Sequence, residues 1–296
     1  MRNYIKLLRP KHYIKNFLIF VPAFFSKNLF SSENLLPLIF GFISFSMSAS
    51  VIYIINDIRD VEKDKLHAIK CKRPIASGKI TVKNAYKLAS FVFFVAIFSN
   101  YVATLEFNFY SFIILLIYVL INFSYSLGLK NIPVLDIVIL ASGYVLRVLY
   151  GAAISQVIVS NWLYLTVISF SLYLGLGKRR NEFNKDALIQ TRKVLEFYNY
   201  EYLDKNMYLC LTLGLTFYSL WTINATTTSN SMLIWTVPIV LIICLKYNLN
   251  IEEYSSDGDP VNVLLSDKVL MFLIGTYLIT IFIMVYGFQF MMFNII

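Results

Sequence analysis

Asn56-Asp57-Ile58-Arg59-Asp60-Val61-Glu62-Lys63-Asp64-Lys65-Leu66-His67 follows a long apolar run and leads, through Lys70, to Arg73-Pro74-Ile75-Ala76-Ser77-Gly78. A lipid-like chain does not place such a charge cluster at the membrane boundary without a use for it. Asp57, Asp60 and Asp64 are spaced i, i+3 and i+7, so a continuous helix puts all three on one face. Crowded carboxylates repel unless something positive lies among them, and hard Mg²⁺ carrying a pyrophosphate is the natural occupant. A solvated loop that only orients the chain needs Lys and Arg, but not Asn56 and three acids together. His67 continues the face; it either bonds a phosphate or carboxylate or caps the turn.

Outward from this stretch the chain is apolar. Of its 296 residues 58% are hydrophobic and only 15% charged, with a mean hydropathy of +0.66. Those values exclude a soluble globular domain and predict an all-α, polytopic integral membrane protein. Nine apolar runs can be marked, near 14–30, 35–55, 84–104, 108–127, 132–155, 160–177, 206–226, 232–250 and 269–293. Pro22 kinks the first of them. Lys and Arg gather in the N-terminal arm, in 56–83 and in 178–205, and are nearly absent from the alternate loops. The alternation predicts nine spans, a cytoplasmic N-terminus and an external C-terminus in a single transmembrane domain over 1–296. The net charge of +9 then belongs to a cytoplasmic face that attracts lipid headgroups and phosphorylated substrates, not nucleic acid. No cleavable leader is expected, since the first apolar run lacks a small-x-small site. Cys71, Cys210 and Cys244 lack pairing or ligand spacing and read as free thiols.

Three polar segments, 56–83, 178–205 and 250–268, carry the chemistry. Arg73-Pro74 through Gly78 suits a rigid turn, with Arg73 as a bidentate phosphate clamp and Thr81 as the cap of the third span. The second segment opens Gly177-Lys178-Arg179-Arg180-Asn181-Glu182, with Asp186 four residues beyond Glu182. The cations are either a stop-transfer signal or phosphate ligands, and the two acids could hold a second Mg²⁺. Residues Thr191 to Tyr202 read as an amphipathic helix over a cavity or as a packing helix. Asp136 and Arg147 lie eleven residues apart on the fifth span, about 16 Å, too far to pair directly. Each must face the bundle interior or a polar cavity, which Lys130 could also reach. The third segment, with Glu252, Glu253, Asp257, Asp259 and Asp267, is either an acidic lid or a solvated turn.

The Asn56-Asp57-x-x-Asp60-x-x-x-Asp64 pattern followed by Arg73-Pro74 resembles the first aspartate-rich motif of the UbiA superfamily of intramembrane prenyltransferases. The resemblance runs nearly end to end. It is strongest to the decaprenyl-phosphate phosphoribosyltransferase branch, through Leu8-Arg9-Pro10-Lys11-His12-Tyr13-Ile14-Lys15-Asn16, Tyr125 to Lys130, Pro133 to Asp136, Leu146-Arg147, Gly177 to Glu182 and Pro260 to Asp267. It implies nine helices around a central cavity in the plasma membrane. It also implies Mg²⁺ as cofactor, held by Asp57, Asp60 and Asp64 with Glu182 and Asp186, and Arg73 beside the leaving diphosphate. Lys15, Asn16, Asn56, His67, Lys70, Lys130, Asp136, Arg147, Lys178, Arg179 and Arg180 are the implied substrate-binding set.

The implied reaction moves 5-phosphoribose from 5-phosphoribosyl 1-diphosphate to a polyprenyl phosphate, for lipid-linked pentose donors and cell-surface polysaccharide. Partners would be that lipid, the sugar donor and membrane lipids, with a homo-oligomer left open. Where aromatic prenyltransferases carry a second aspartate-rich motif, this chain has its Gly-Lys-Arg-Arg run, which suits a ligand set with more phosphates. The alternative is a prenyltransferase joining a prenyl diphosphate to an aromatic acceptor. A transporter is a third class; it would scatter charges deep in several spans rather than gather them on one side.

Overall fold

The computed structural model describes residues 2–66, 70–104, 109–186, 193–224, 231–252 and 258–293. Among them the chain is helical throughout: α1 (Arg2–Leu8), α2 (Val21–Phe25), α3 (Leu35–Arg59), α4 (Val61–Leu66), α5 (Val82–Thr104), α6 (Phe109–Leu127), α7 (Leu135–Ser155), α8 (Asn161–Asp186), α9 (Tyr200–Asn224), α10 (Val237–Glu252), α11 (Pro260–Ser266) and α12 (Lys268–Phe293). Short 3₁₀ segments at Pro10–Phe20, Lys70–Lys72, Leu129–Asn131, Lys193–Phe197 and Ser231–Thr236 join them. An all-α membrane chain follows from the lack of water in lipid, which leaves each backbone group to bond within its own helix.

The helices form two compact units. The first holds α1, Pro10–Phe20, α3 to α6 and Leu146–Val157; the second holds Phe24–Asn28, Gly128–Val145 and α8 to α12. In the first unit α3 is the central helix and packs along α5. Small residues on α3 (Gly41, Ser44, Ser48, Ala49) let neighbouring backbones approach, and Ser44 Oγ donates to the Ala96 carbonyl of α5 at 2.8 Å. Gly151 is fixed by a tighter approach, because a Cβ there would lie 1.8 Å from the Ile19 carbonyl oxygen. In the second unit α8 and α9 pair closely, and a core of Tyr173, Leu176, Met207, Leu211 and Ile251 joins them to α10.

Among the described residues, six helices are long and apolar enough to cross a membrane, against the nine spans expected: Leu35–Arg59, Val82–Thr104, Phe109–Leu127, Leu135–Ser155, Met232–Glu252 and Lys268–Gly287. The other three apolar runs are helical but differ from a plain span. The first breaks into the 3₁₀ segment and the five-residue α2, ended by Lys27 at φ +61°. The sixth lies in α8, whose last turns are the polar Lys178 to Asp186, and the seventh in α9, which begins Tyr-Glu-Tyr-Leu-Asp-Lys-Asn.

Candidate active site

The aspartate-rich stretch does not form one helix. α3 ends at Arg59, and Asp60 turns the chain with φ −91° and ψ 7° before α4 begins at Val61. Sequence spacing alone cannot reveal such a corner, and Asp60 therefore stands at it rather than on a continuous acidic face. Asp57 and Asp64 still come together. Both are buried, and Arg73 Nη1 bonds Asp57 Oδ1 at 3.0 Å and Asp64 Oδ2 at 2.7 Å. Arg9 Nη2 adds a second bond to Asp57 Oδ1 at 2.6 Å, and its guanidinium lies 4.8 Å from the Tyr53 ring centre.

Local structure puts these cations in place. Arg9 ends α1 in the left-handed region at φ +55°, ahead of Pro10. Arg73 opens the expected rigid turn, in which Ser77 and Gly78 N–H groups bond the Arg73 and Ile75 carbonyls and Gly78 takes φ +73°. Ile75 and Ile80 anchor that turn in a cluster with Leu7, Ile54, Ile58 and Ala85. Thr81 caps α5 as expected, its Oγ1 accepting the Asn84 N–H at 3.3 Å.

What this cluster can hold follows from its donors. Two buried carboxylates converge on one positive nitrogen, so the place already accommodates a cation between hard oxygen ligands. Among the described residues no three His, Cys, Asp or Glu side chains are placed to hold a metal. A cation there would complete its shell with substrate oxygens or water, as Mg²⁺ commonly does with one or two carboxylates.

Elsewhere in the first unit Asn16 and Arg147 meet. Arg147 Nε donates to Asn16 Oδ1 at 2.7 Å, Asn16 Nδ2 donates to Ser46 Oγ at 2.8 Å, and the guanidinium lies against the rings of Phe45 and Tyr118. Both residues are buried, so their first effect is to satisfy polar groups inside an apolar bundle. Lys15, Asn56 and Lys70 lie half-buried on the same unit. His67 falls outside the described residues.

In the second unit the consecutive cations of α8 are each taken by carboxylates. Lys178 Nζ bonds Asp259 Oδ2 at 3.3 Å. Arg179 bonds Asp136 through Nε and Glu182 through Nη1, with neither Arg179 nor Asp136 exposed at all. Arg180 Nη2 donates to Glu252 Oε1 at 2.6 Å and to the Tyr200 hydroxyl, and its Nε lies 2.8 Å from Asp204 Oδ1 as an ion pair without hydrogen-bond alignment. The expected phosphate ligands Arg179 and Arg180 are thus buried and bound to the protein's own acids. Glu182, an expected metal ligand, is bound to Arg179; the side chain of Asp186 lies outside the described residues.

The two uncertain polar segments resolve into packing devices. Val194 and Leu195 of Lys193–Phe197 are buried in the core, which fits the packing alternative, and Thr191 and Arg192 lie outside the described residues. The adjoining Tyr198 hydroxyl donates to Asp136 Oδ1 at 2.7 Å and accepts the Val134 N–H at 2.6 Å. Burial first, then the Asp136 carboxylate, hold that hydroxyl's pKa above the ordinary phenol value, so it remains the donor. Val134 has φ +67°, a conformation costing a β-branched residue about 1–3 kcal/mol. In the acidic segment Asp259 caps α11 at the Val261 N–H, and Asp267 accepts the Leu270 N–H and pairs with Lys246 at 2.8 Å. Gly258, at φ +65°, lies so close to α8 that a Cβ would come within 2.8 Å of the Asn181 Cβ. Glu253 and Asp257 lie outside the described residues. Cys71, Cys210 and Cys244 form no disulfide among the described residues.

Sequence reasoning missed Arg9, Tyr198 and the Asp136–Arg179 pair. Arg9 had one signal, its place beside Pro10 in a motif already noted. The other two join residues that are distant along the chain, and nothing in local spacing announces them.

Residues 17–260 match the UbiA prenyltransferase family. The decaprenyl-phosphate phosphoribosyltransferase of Corynebacterium glutamicum is 31% identical over 95% of this chain and 86% of its own, and that of Mycolicibacterium smegmatis 30% identical over 94% and 90%. Among solved structures, a UbiA homolog from Archaeoglobus fulgidus bound to GPP and Mg²⁺ superposes with a TM-score of 0.67 at 21% identity, covering 93% of this chain and 97% of that one.

Proposed function

The chain belongs to the UbiA prenyltransferase family of membrane-bound transferases, and from that premise we propose that it transfers 5-phosphoribose from 5-phosphoribosyl 1-diphosphate to a polyprenyl phosphate. The observation that carries the chemistry is the convergence of Asp57 and Asp64 on a single cation. The near end-to-end similarity to two phosphoribosyltransferases supports the choice of donor.

In this reading Asp57 and Asp64, with Asp60 at the corner, would hold Mg²⁺. The metal supplies charge neutralisation for the leaving group. Arg73 and Arg9 are already drawn to the carboxylates. These two guanidinia are assigned to the diphosphate oxygens, where they would stabilise developing charge. The ribose C1–O bond to diphosphate breaks, and an oxygen of the lipid phosphate forms the new bond at C1 from the opposite face. That nucleophile is already anionic, so no general base is required. Lys130 and Lys178 are the second unit's assigned contacts to the acceptor phosphate or the ribose 5-phosphate; Arg179 and Arg180 act through their carboxylates as supports. Asn16, Arg147, Lys15, Asn56 and Lys70 are assigned to the donor side, the first two through the buried network that fixes them.

We assign all nine apolar runs to the bilayer of the plasma membrane, with the N-terminus cytoplasmic. The product would feed lipid-linked pentose and cell-surface polysaccharide synthesis. A prenyl diphosphate donor with an aromatic acceptor is the second reading, favoured by the GPP bound to the Archaeoglobus fulgidus protein.

Purified protein with Mg²⁺, polyprenyl phosphate and radiolabelled 5-phosphoribosyl 1-diphosphate should yield labelled lipid. A matched tube with a prenyl diphosphate and 4-hydroxybenzoate scores the second reading, and product there alone would overturn the proposal.

A further inference from the structure

The turn that carries Lys130 toward α7 is tied to the rest of its unit by a residue that the mechanism above does not use. We infer that Tyr198 is a positioning residue for Lys130, acting through Val134 and Asp136; this rests on the assignment of Lys130 to a substrate phosphate. Lys130 stands in the single 3₁₀ turn Leu129–Asn131, four residues before Val134. The bonds inside that turn are local: Asn131 N–H to the Gly128 carbonyl at 2.9 Å and Ile132 N–H to the Leu129 carbonyl at 3.2 Å. They set the shape of the turn, not its place. Backbone bonds join it to α7, with the Asp136 N–H on the Ile132 carbonyl at 3.2 Å and the Ile137 and Val138 N–H groups on the Val134 carbonyl at 3.0 and 2.9 Å, and the Tyr198 hydroxyl adds a side-chain tie that holds the Val134 N–H and Asp136 Oδ1 at once.

Val134 makes that hold necessary. At φ +67° a β-branched side chain is in a region it leaves when released, and its departure would swing the preceding residues. Tyr198 is itself immobilised, since Val194 and Leu195 just before it are buried in the core and its ring stacks on Tyr202 at 5.8 Å. The polar segment after α8 thus contributes one hydroxyl that sets where Lys130 stands.

Tyr198→Phe keeps the ring and its packing and removes both hydrogen bonds. Tyr198→Phe and Lys130→Met should each raise KM for the same phosphorylated substrate, phosphoribosyl diphosphate or polyprenyl phosphate, by roughly tenfold, the equivalent of one lost hydrogen bond. kcat should stay within about twofold, a split that lost packing alone would not produce. The double variant should be no worse than Lys130→Met alone. Adding Val134→Gly to Tyr198→Phe should recover part of the loss, because glycine adopts the left-handed conformation without the Cβ penalty. Amide exchange over residues 128–136 should rise in Tyr198→Phe.

A raised KM in Lys130→Met with an unchanged one in Tyr198→Phe, or additive effects, would overturn the inference and leave the Lys130 assignment standing. An unchanged KM in Lys130→Met would remove that assignment and the inference with it. If wild-type protein used neither substrate, the proposed function would fail, and unchanged exchange over 128–136 in Tyr198→Phe would overturn the positioning role on its own.

Discussion

The two charged clusters use the same residue types with opposite exposure. In the first unit the carboxylates of Asp57 and Asp64 are buried, while Arg9 and Arg73 keep 25% and 30% of their side chains exposed. In the second unit the guanidinia are buried, Arg179 at 0% and Arg180 at 2%, and one of their acids, Glu252, is 46% exposed. A cation that reaches solvent can be exchanged for another without being stranded. One enclosed with its partner cannot, because removing either leaves an uncompensated buried charge. The first arrangement suits exchange of a protein cation for a metal and its diphosphate, the second suits a fixed support.

Substitutions sharpen that contrast. The largest effect on turnover is expected for Asp57→Asn or Asp64→Asn, with a loss on the order of 10³-fold in Mg²⁺-dependent kcat and little change in the unfolding midpoint in detergent. A variant that kept its activity would break the exchange account. Asp136→Asn or Arg179→Met should act on the fold instead. Each strands a buried charge or leaves buried groups unpaired and should destabilise by about 3–5 kcal/mol in thermal unfolding, whereas changing both to apolar residues should cost less. Destabilisation no greater than that of Asp57→Asn would erase the difference between the clusters.

Smaller effects mark the edges of each unit. Thr81→Ala should cost about 1 kcal/mol through loss of the α5 cap, with catalytic constants unchanged. At Asp267 the bond from Lys246, then that from the Leu270 N–H, lower the pKa from 3.8 to about 2. A depressed folded value means this contribution is complete above about pH 4 and is lost as pH falls toward 2. Asp267→Asn should flatten the acid limb of a stability–pH curve in that window, and an unaltered limb would show that the pair contributes nothing.

Much of this was legible before any coordinates. Apolar runs announced an all-helical membrane chain because composition and length decide that outcome. Asp57, Asp64 and Arg73 were legible as a set because seventeen residues of chain hold all three and a Pro–Gly turn closes it. The corner at Asp60 was not, since spacing assumes a continuous helix. Nor was the fate of Arg179 and Arg180. A run of cations after an apolar helix looks the same whether it meets phosphate or the protein's own acids, and those acids come from Asp136, Asp204 and Glu252, far away in sequence. The Tyr198 contacts were hidden for the same reason. Among the described residues the count of spans exceeded the six long apolar helices because the first run breaks into a 3₁₀ segment and the five-residue α2, while α8 and α9 combine apolar turns with polar ones.

The most direct test of the exchange account is a titration of purified protein with Mg²⁺ in the presence of inorganic diphosphate, followed by calorimetry. Wild-type protein and Lys178→Ala should both bind the pair, and Asp57→Asn and Asp64→Asn should lose binding. Equal binding by all four would contradict the assignment of the metal and its diphosphate to the buried carboxylates of the first unit.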